Sequence, residues 1–190
     1  MLTYKRLLRL EHYKIMKNRA LFLDRDGVIN EDKNYVYKIH DIEFIDGIFD
    51  LIERANKLGY LVIVVTNQSG VGQGFFSEEE LKKTNNWIIN ECKKRNAFID
   101  DIYFCSTHPT KGIGKYKKND VRRKPNNGMF LEAAKDHNVD LSKSIILGDK
   151  ATDMDAGFSS GIKKLFLLSN KEYYKESRNV NSPKDIINFL

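Results

Sequence analysis

A chain of 190 residues with 41% hydrophobic and 31% charged side chains is long enough to bury one continuous core and too short for two large ones. Its apolar runs span only a few residues, far below the roughly 20 that a bilayer-crossing helix needs, and its two cysteines cannot build a disulfide framework, which suits a reducing, cytoplasmic setting. The net charge of +6 is concentrated in residues 1–15 and in 111–124, so nucleic-acid binding is weighed against the ordinary solvated charge run. The expectation is no nucleic acid and no membrane.

Residues 1–19 read as an N-terminal extension, either an arm or a mis-assigned start with Met16 as the true one, and residues 20–190 as a single domain. Lys5, Arg6, Arg9, Glu11 and Lys14 interrupt any apolar stretch that a secretory signal would need. A buried strand follows at 20–23, ending at Asp24, and a helix at 48–58 is closed by Gly59. The apolar run 61–65 is a second strand, ending at Thr66. Ser77 with Glu80 forms a capping box for a helix over 78–94, in which Leu81, Ile88 and Cys92 recur on one face, so that Cys92 and neighbouring Trp87 belong to the core. Further strands at 102–104, 145–147 and 165–168 alternate with helices at 128–138, 151–159 and 183–190. Strand and helix alternating in this way predict an α/β fold, doubly wound, with a mostly parallel sheet.

In such a sheet ligands bind beyond the carboxyl ends of the strands, where the polar residues of this sequence gather. Asp24 and Asp26 flank Arg25 in an extended segment that turns away at Gly27, so both carboxylates project to one side. One, Asp24, can attack phosphorus as a nucleophile while the other, Asp26, donates and later removes a proton. Thr66, Asn67, Gln68 and Ser69 offer hydroxyls and amides for phosphoryl oxygens, with Thr66 the natural donor. Arg123 and Lys124 precede a helix N-terminus and can neutralise phosphate charge, Lys124 also holding Asp24. Asp149 can join Asp24 and the Asp26 carbonyl as a Mg²⁺ ligand, with Asp153 behind them.

Each group alone is weak; their order is specific. From Arg19 onward the sequence resembles the haloacid dehalogenase superfamily, and within it the D-glycero-D-manno-heptose 1,7-bisphosphate 7-phosphatase family. The resemblance rests on Phe22-Leu23-Asp24-Arg25-Asp26-Gly27, Asn30, Tyr35-Val36, Phe44-Ile45-Asp46-Gly47, Thr66-Asn67-Gln68-Ser69-Gly70, Arg123-Lys124-Pro125, Gly148-Asp149-Lys150 and Asp153-Met154. It implies removal of the 7-phosphate from a heptose bisphosphate through an aspartyl-phosphate, with Mg²⁺, in heptose nucleotide-sugar biosynthesis. It also implies a substrate-binding set of Arg25, the stretch from Asp32 to Tyr35, Asn67, Gln68, Ser69, Arg123 and Lys150. Only about 40 residues lie between Asp26 and Thr66, too few for the large cap of many superfamily members, so a capless Rossmannoid domain with an open site is expected.

Many members of this family hold zinc with a C-x-H-x-P segment followed by C-x-C-R-K-P. Here Cys105 remains, but Thr107 occupies the histidine position and Asp120 and Arg122 the cysteine positions. Even with His108 only two ligands would be at hand, so zinc is not expected. His108 is a candidate substrate contact on this loop, whereas His12, His40 and His137 read as surface residues. A monomer is expected, with a small sugar phosphate as partner. Histidinol-phosphate phosphatase, a sister family, and a phosphate- or nucleic-acid-binding module without catalysis remain the alternatives.

Overall fold

The apolar runs become the interior of a parallel sheet. The computed structural model describes residues 17–169 and 173–190; most of the expected extension, with Met16 and His12, therefore lies outside the described residues. Strands β1 (Ala20–Leu23), β2 (Leu61–Asn67), β3 (Asp101–Cys105), β4 (Ile145–Gly148), β5 (Lys164–Leu168) and β6 (Arg178–Val180) stand in the order β3-β2-β1-β4-β5-β6, each neighbouring pair parallel. The helices are α1 (Ile48–Lys57), α2 (Ser69–Gly72), α3 (Glu78–Lys93), α4 (Gly128–Asp136) and α5 (Ala151–Ser160).

Alternation along β1 shows why the runs are apolar throughout. Leu21 and Leu23 face a core shared with α1 and α3, while Ala20 and Phe22 face one shared with α4 and α5. Both faces of the sheet are covered, so neither set of alternate residues can be polar. β1 lies centrally, between β2 and β4, which places its carboxyl end where the chain crosses from one side of the sheet to the other. The connection from Asp24 to Tyr60 holds a tight turn, a 3-10 turn at Ile39–Asp41 and α1, with no inserted cap.

Several elements differ from expectation, among them the short α2 and the 3-10 turns at Ile39–Asp41, Gly114–Tyr116 and Leu141–Lys143, which no local signal marked. β6 was not foreseen: Arg178 and Asn179 are exposed and only Val180 is buried, so no apolar run marks it. The C-terminal segment Pro183–Phe189 is a 3-10 helix, opened by a Ser182–Asp185 capping box, where an α-helix was expected. Asn18 and Arg19 are tied to the fold: Asn18 bridges Val139, and Arg19 donates to the Leu58 carbonyl at 2.7 Å with its guanidinium 4.1 Å from the Tyr60 ring. Among the described residues no helix is long and apolar enough to cross a membrane.

The basic loop after β3 is built from backbone and side-chain contacts. His108 N–H donates to Tyr116 O, Ile113 N–H to Gly72 O, and Arg123 Nη1 to Thr107 O. The Cys105 thiol lies 3.1 Å from the Thr107 hydroxyl. Lys118 pairs with Asp120 and Arg122 with Glu132, so part of the loop's positive charge is met locally.

Candidate active site

Asp24 continues β1 and Thr66 and Asn67 close β2, so these neighbouring strands deliver their polar ends to one cleft; Asp149, which follows β4, is not part of the lining but stands close against Asp24 and Asp153, which are. The cleft measures about 160 Å³ and is lined by Asp24, Asp26, Thr66, Lys124 and Asp153, among others. That is small beside the roughly 300 Å³ or more of an ordinary ligand pocket. It suits a phosphoryl group and its immediate neighbours, with the rest of a substrate lying toward the open side.

At the base, Lys124 is buried and its ammonium reaches Asp24 Oδ1 at 3.0 Å, Asp153 Oδ1 at 2.5 Å and the Val65 carbonyl at 2.7 Å. Asn67 clamps the backbone of Lys124 on both sides, accepting from its N–H at 3.1 Å and donating to its carbonyl at 3.0 Å. Asn67 lines the cleft as expected, yet both ends of its amide serve to place Lys124. Burial raises the Asp24 carboxyl above its ordinary pKa; Lys124 opposes this and Asp153 adds to it. For Lys124 burial acts against the charge, but Asp153 and Asp24 outweigh it and its pKa is raised. Burial, reinforced by Asp24 and Asp153, pushes Asp149 up to about 7.

Oxygens of Asp24, Asp149 and Asp153 lie within 4.8 Å of one another, and Asp149 Oδ1 is buried without a hydrogen-bond partner. The three close carboxylates have Lys124 and, 3.4 Å from Asp149 Oδ2, Lys150, which is shared with Asp32, so negative charge remains in excess and the orphaned oxygen has an unmet demand for a cation. A hard divalent ion taking a few carboxylate oxygens fits this donor set. Gly27, at φ +90°, makes the approach possible: a Cβ there would stand 2.3 Å from Asp149 Oδ2.

Asp26 lines the cleft with its carboxylate held from behind. Asn30 Nδ2 donates to Oδ1 at 2.9 Å, Gln68 Nε2 to Oδ2 at 2.7 Å, and Arg25 binds both oxygens through Nη2 at 2.8 and 2.9 Å. Gln68 also reaches the Thr66 hydroxyl at 3.0 Å. Arg25 corrects an expectation: it does not line the cleft and has no exposed surface, so it is not a substrate contact. Its guanidinium is enclosed by Asp26, Asn85 and the Val36 carbonyl.

The rim carries the remaining candidates. Lys150 Nζ pairs with Asp32 Oδ2 at 2.9 Å across the mouth. Although partial burial works the other way, this contact holds Asp32 below the usual carboxylate range. Asn34 and Tyr35 both adopt left-handed backbone angles, φ +61° and +57°, strained for residues with a Cβ. The Tyr35 hydroxyl accepts from Gln73 Nε2 at 3.1 Å, and Gln73 also reaches the Ser69 hydroxyl at 3.2 Å. Arg123 is half-buried beside the cleft, held by Thr107 O, and is not part of the lining. His108 is likewise outside the lining; its Nδ1 accepts from the backbone N–H of Thr110 and Lys111. His137 is not a free surface residue, since its Nε2 lies 2.9 Å from Asp101 Oδ2.

Asn34, within the implied stretch Asp32 to Tyr35, lines the cleft; Thr152 lines it without having been singled out, and Asn85 reaches Arg25 from α3. Thr152 lies between two marked segments, Gly148-Asp149-Lys150 and Asp153-Met154. Asn85 had a signal too: it and Thr84 are polar residues on the apolar face of a helix.

A family model described as HAD-hydrolase-like matches residues 121–190. The D-glycero-alpha-D-manno-heptose-1,7-bisphosphate 7-phosphatase of Burkholderia mallei is 46% identical over 179 residues, covering 92% of this chain and 95% of the relative. The D-glycero-beta-D-manno-heptose-1,7-bisphosphate 7-phosphatase of Haemophilus influenzae is 40% identical over 151 residues, covering 80% and 82%. A crystal structure of a HAD-like phosphatase from Mesorhizobium loti superposes with a TM-score of 0.83 at 32% identity, covering 90% of this chain and 85% of that one. The D,D-heptose 1,7-bisphosphate phosphatase of B. bronchiseptica, solved with magnesium and phosphate, shares the fold at a TM-score of 0.78 and 24% identity, covering 90% and 97%.

Proposed function

The chain belongs to the D-glycero-D-manno-heptose 1,7-bisphosphate 7-phosphatase family of HAD-like hydrolases, and from that premise we propose that it hydrolyses the 7-phosphate of a heptose 1,7-bisphosphate as a Mg²⁺-dependent cytoplasmic monomer. The observation that carries this reading is the arrangement of Asp24 against Lys124, with Asp26 beside it in the same cleft. In this reading residues 20–190 act as one domain, and the loop after β3 is held by its own contacts rather than by zinc.

Asp24 is the nucleophile. Lys124 fixes its Oδ1, so the other oxygen is turned toward the phosphorus. Attack forms the aspartyl-phosphate bond and breaks the bond to the sugar oxygen, which takes its proton from Asp26. Asp26 then removes a proton from water as that water attacks the phosphorus, releasing phosphate and restoring Asp24. The Thr66 hydroxyl donates to the phosphoryl oxygens through the transfer. Asp24, Asp149 and the Asp26 carbonyl would hold Mg²⁺, with Asp153 fixed behind them by Lys124. When bound, the ion neutralises negative charge on the phosphoryl oxygens. The sugar lies against Tyr35 and Ser69, and its second phosphate meets Lys150 and Arg123.

Phosphate release from both anomers of heptose 1,7-bisphosphate, and from histidinol phosphate, tests the reading. We expect turnover of a heptose bisphosphate with Mg²⁺, loss on chelation with EDTA, and a fall of at least about 10³-fold in kcat for Asp24→Asn. Preference for histidinol phosphate would reject the substrate, and turnover retained by Asp24→Asn would reject the mechanism.

A further inference from the structure

Arg25 is the largest fully buried side chain of the described residues, and a buried guanidinium is strongly unfavourable unless acceptors surround it. Those acceptors come from three directions. Asp26 takes Nε at 3.2 Å and Nη2 at 2.8 and 2.9 Å; the Val36 carbonyl takes Nη2 at 2.5 Å; Asn85 Oδ1 takes Nη1 at 3.2 Å. Asn85 is 5% exposed and sits on α3, a helix that contributes no residue to the cleft lining. α3 is in turn anchored by the Ser77–Glu80 capping box and by the Thr84 hydroxyl, which donates to the Tyr37 carbonyl. Two polar residues, Thr84 and Asn85, thus interrupt the helix's buried face and both point their bonds at the first connecting segment.

We propose that Arg25 and Asn85 are positioning residues for Asp26: Asn85 fixes the guanidinium, and the guanidinium fixes the plane of the Asp26 carboxyl toward the leaving oxygen. This rests on Asp26 being the proton donor of the proposed mechanism. A carboxyl at the end of a strand can swing about its side-chain bonds, and proton transfer needs it within hydrogen-bond reach of one particular oxygen. A planar fork bound to both carboxylate oxygens sets orientation in a way that an ammonium cannot. Asn30 and Gln68 grip the same carboxylate, but both belong to the loops around the cleft; the Arg25–Asn85 path ties it to a helix of the body.

The test compares kcat/KM, which reports steps up to departure of the leaving group, for phenyl phosphate and p-nitrophenyl phosphate. They are similar in size but leave as a strongly and a weakly basic phenolate, so only the first needs much help from an acid. Asp26→Asn serves as the reference, with Arg25→Met and Asn85→Leu as the positioning variants. Asn85→Leu keeps the side-chain volume close and stands alone should Arg25→Met fail to fold. The expected result is that the ratio of the two kcat/KM values shifts against phenyl phosphate by about 10-fold or more in each positioning variant, in the same direction as in Asp26→Asn. If Asp26→Asn shifts the ratio and Asn85→Leu lowers both substrates equally or neither, the positioning proposal is overturned while the acid role stands. If Asp26→Asn itself leaves the ratio unchanged, the acid role falls and the positioning proposal with it.

Discussion

Gly27 and Gly59 both adopt positive φ, at +90° and +76°, but only one has a neighbour where a side chain would go. Alanine at Gly27 would drive its Cβ onto the Asp149 carboxylate, and a displacement of about 1 Å in a reacting site costs on the order of 100-fold. We expect Gly27→Ala to lose about that much in kcat/KM and to need more Mg²⁺ for half-maximal rate. Gly59→Ala meets nothing within 4 Å, so it should cost about 1 kcal/mol of stability for the left-handed backbone and leave kcat/KM within a factor of two. Steady-state kinetics and thermal melts on the pair check this, and equal kinetic losses in both would refute the contact as the cause. At this scale the sequence was informative wherever a polar residue directly ended an apolar run, because a parallel strand must release its next side chain at the sheet's edge. Arg25 entered the substrate-binding set with the resemblance, which rests on motifs and does not carry the packing of a side chain. What decides its role is Asn85, 60 residues away in sequence, and no local pattern carries that packing.

The helix carrying Asn85 owes its start to a reciprocal cap. The Ser77 hydroxyl accepts from Glu80 N–H at 3.1 Å, and Glu80 accepts from Ser77 N–H at 2.8 Å. Ser77→Ala should lower the stability by about 1 kcal/mol, seen as an earlier urea midpoint with an unchanged slope. An unshifted midpoint would show that tertiary packing alone sets the start of α3. Such caps, glycine stops and apolar runs are local signals, which is why five of the six strands and the long helices were legible. β6 carries no such signal, since among the described residues it pairs only with β5 at the sheet's edge and buries one residue. The segment 183–189 has helical spacing, and it packs against α1 and β6, contacts that no local pattern carries. The loop after β3 was legible as basic but not in its shape, which depends on long-range bonds such as Ile113 N–H to Gly72 O.

Seen across the whole molecule, the cleft is a place where the fold accepts repulsion that its core must offset. Asp24, Asp149 and Asp153 bring oxygens within 4.8 Å at the junction of β1, β4 and α5, with Lys124 the ammonium that touches two of them. Like charges crowded in a buried site destabilise the folded state, and proteins commonly hold such groups for function at a cost in stability. Replacing one of them by its neutral isostere should therefore stabilise the metal-free protein. In EDTA, Asp149→Asn should melt higher than the parent by about 2–4 °C, the shift that about 1 kcal/mol gives a chain of this size. The parent should gain stability as Mg²⁺ is added, because an ion bound only by the folded state shifts unfolding by mass action, and the variant should gain much less. Phosphatase activity should move the opposite way, falling steeply in the more stable protein. A variant that melts lower in EDTA, or that responds to Mg²⁺ as strongly as the parent, would mean that Asp149 is held by favourable contacts of its own and that the ion is bound elsewhere.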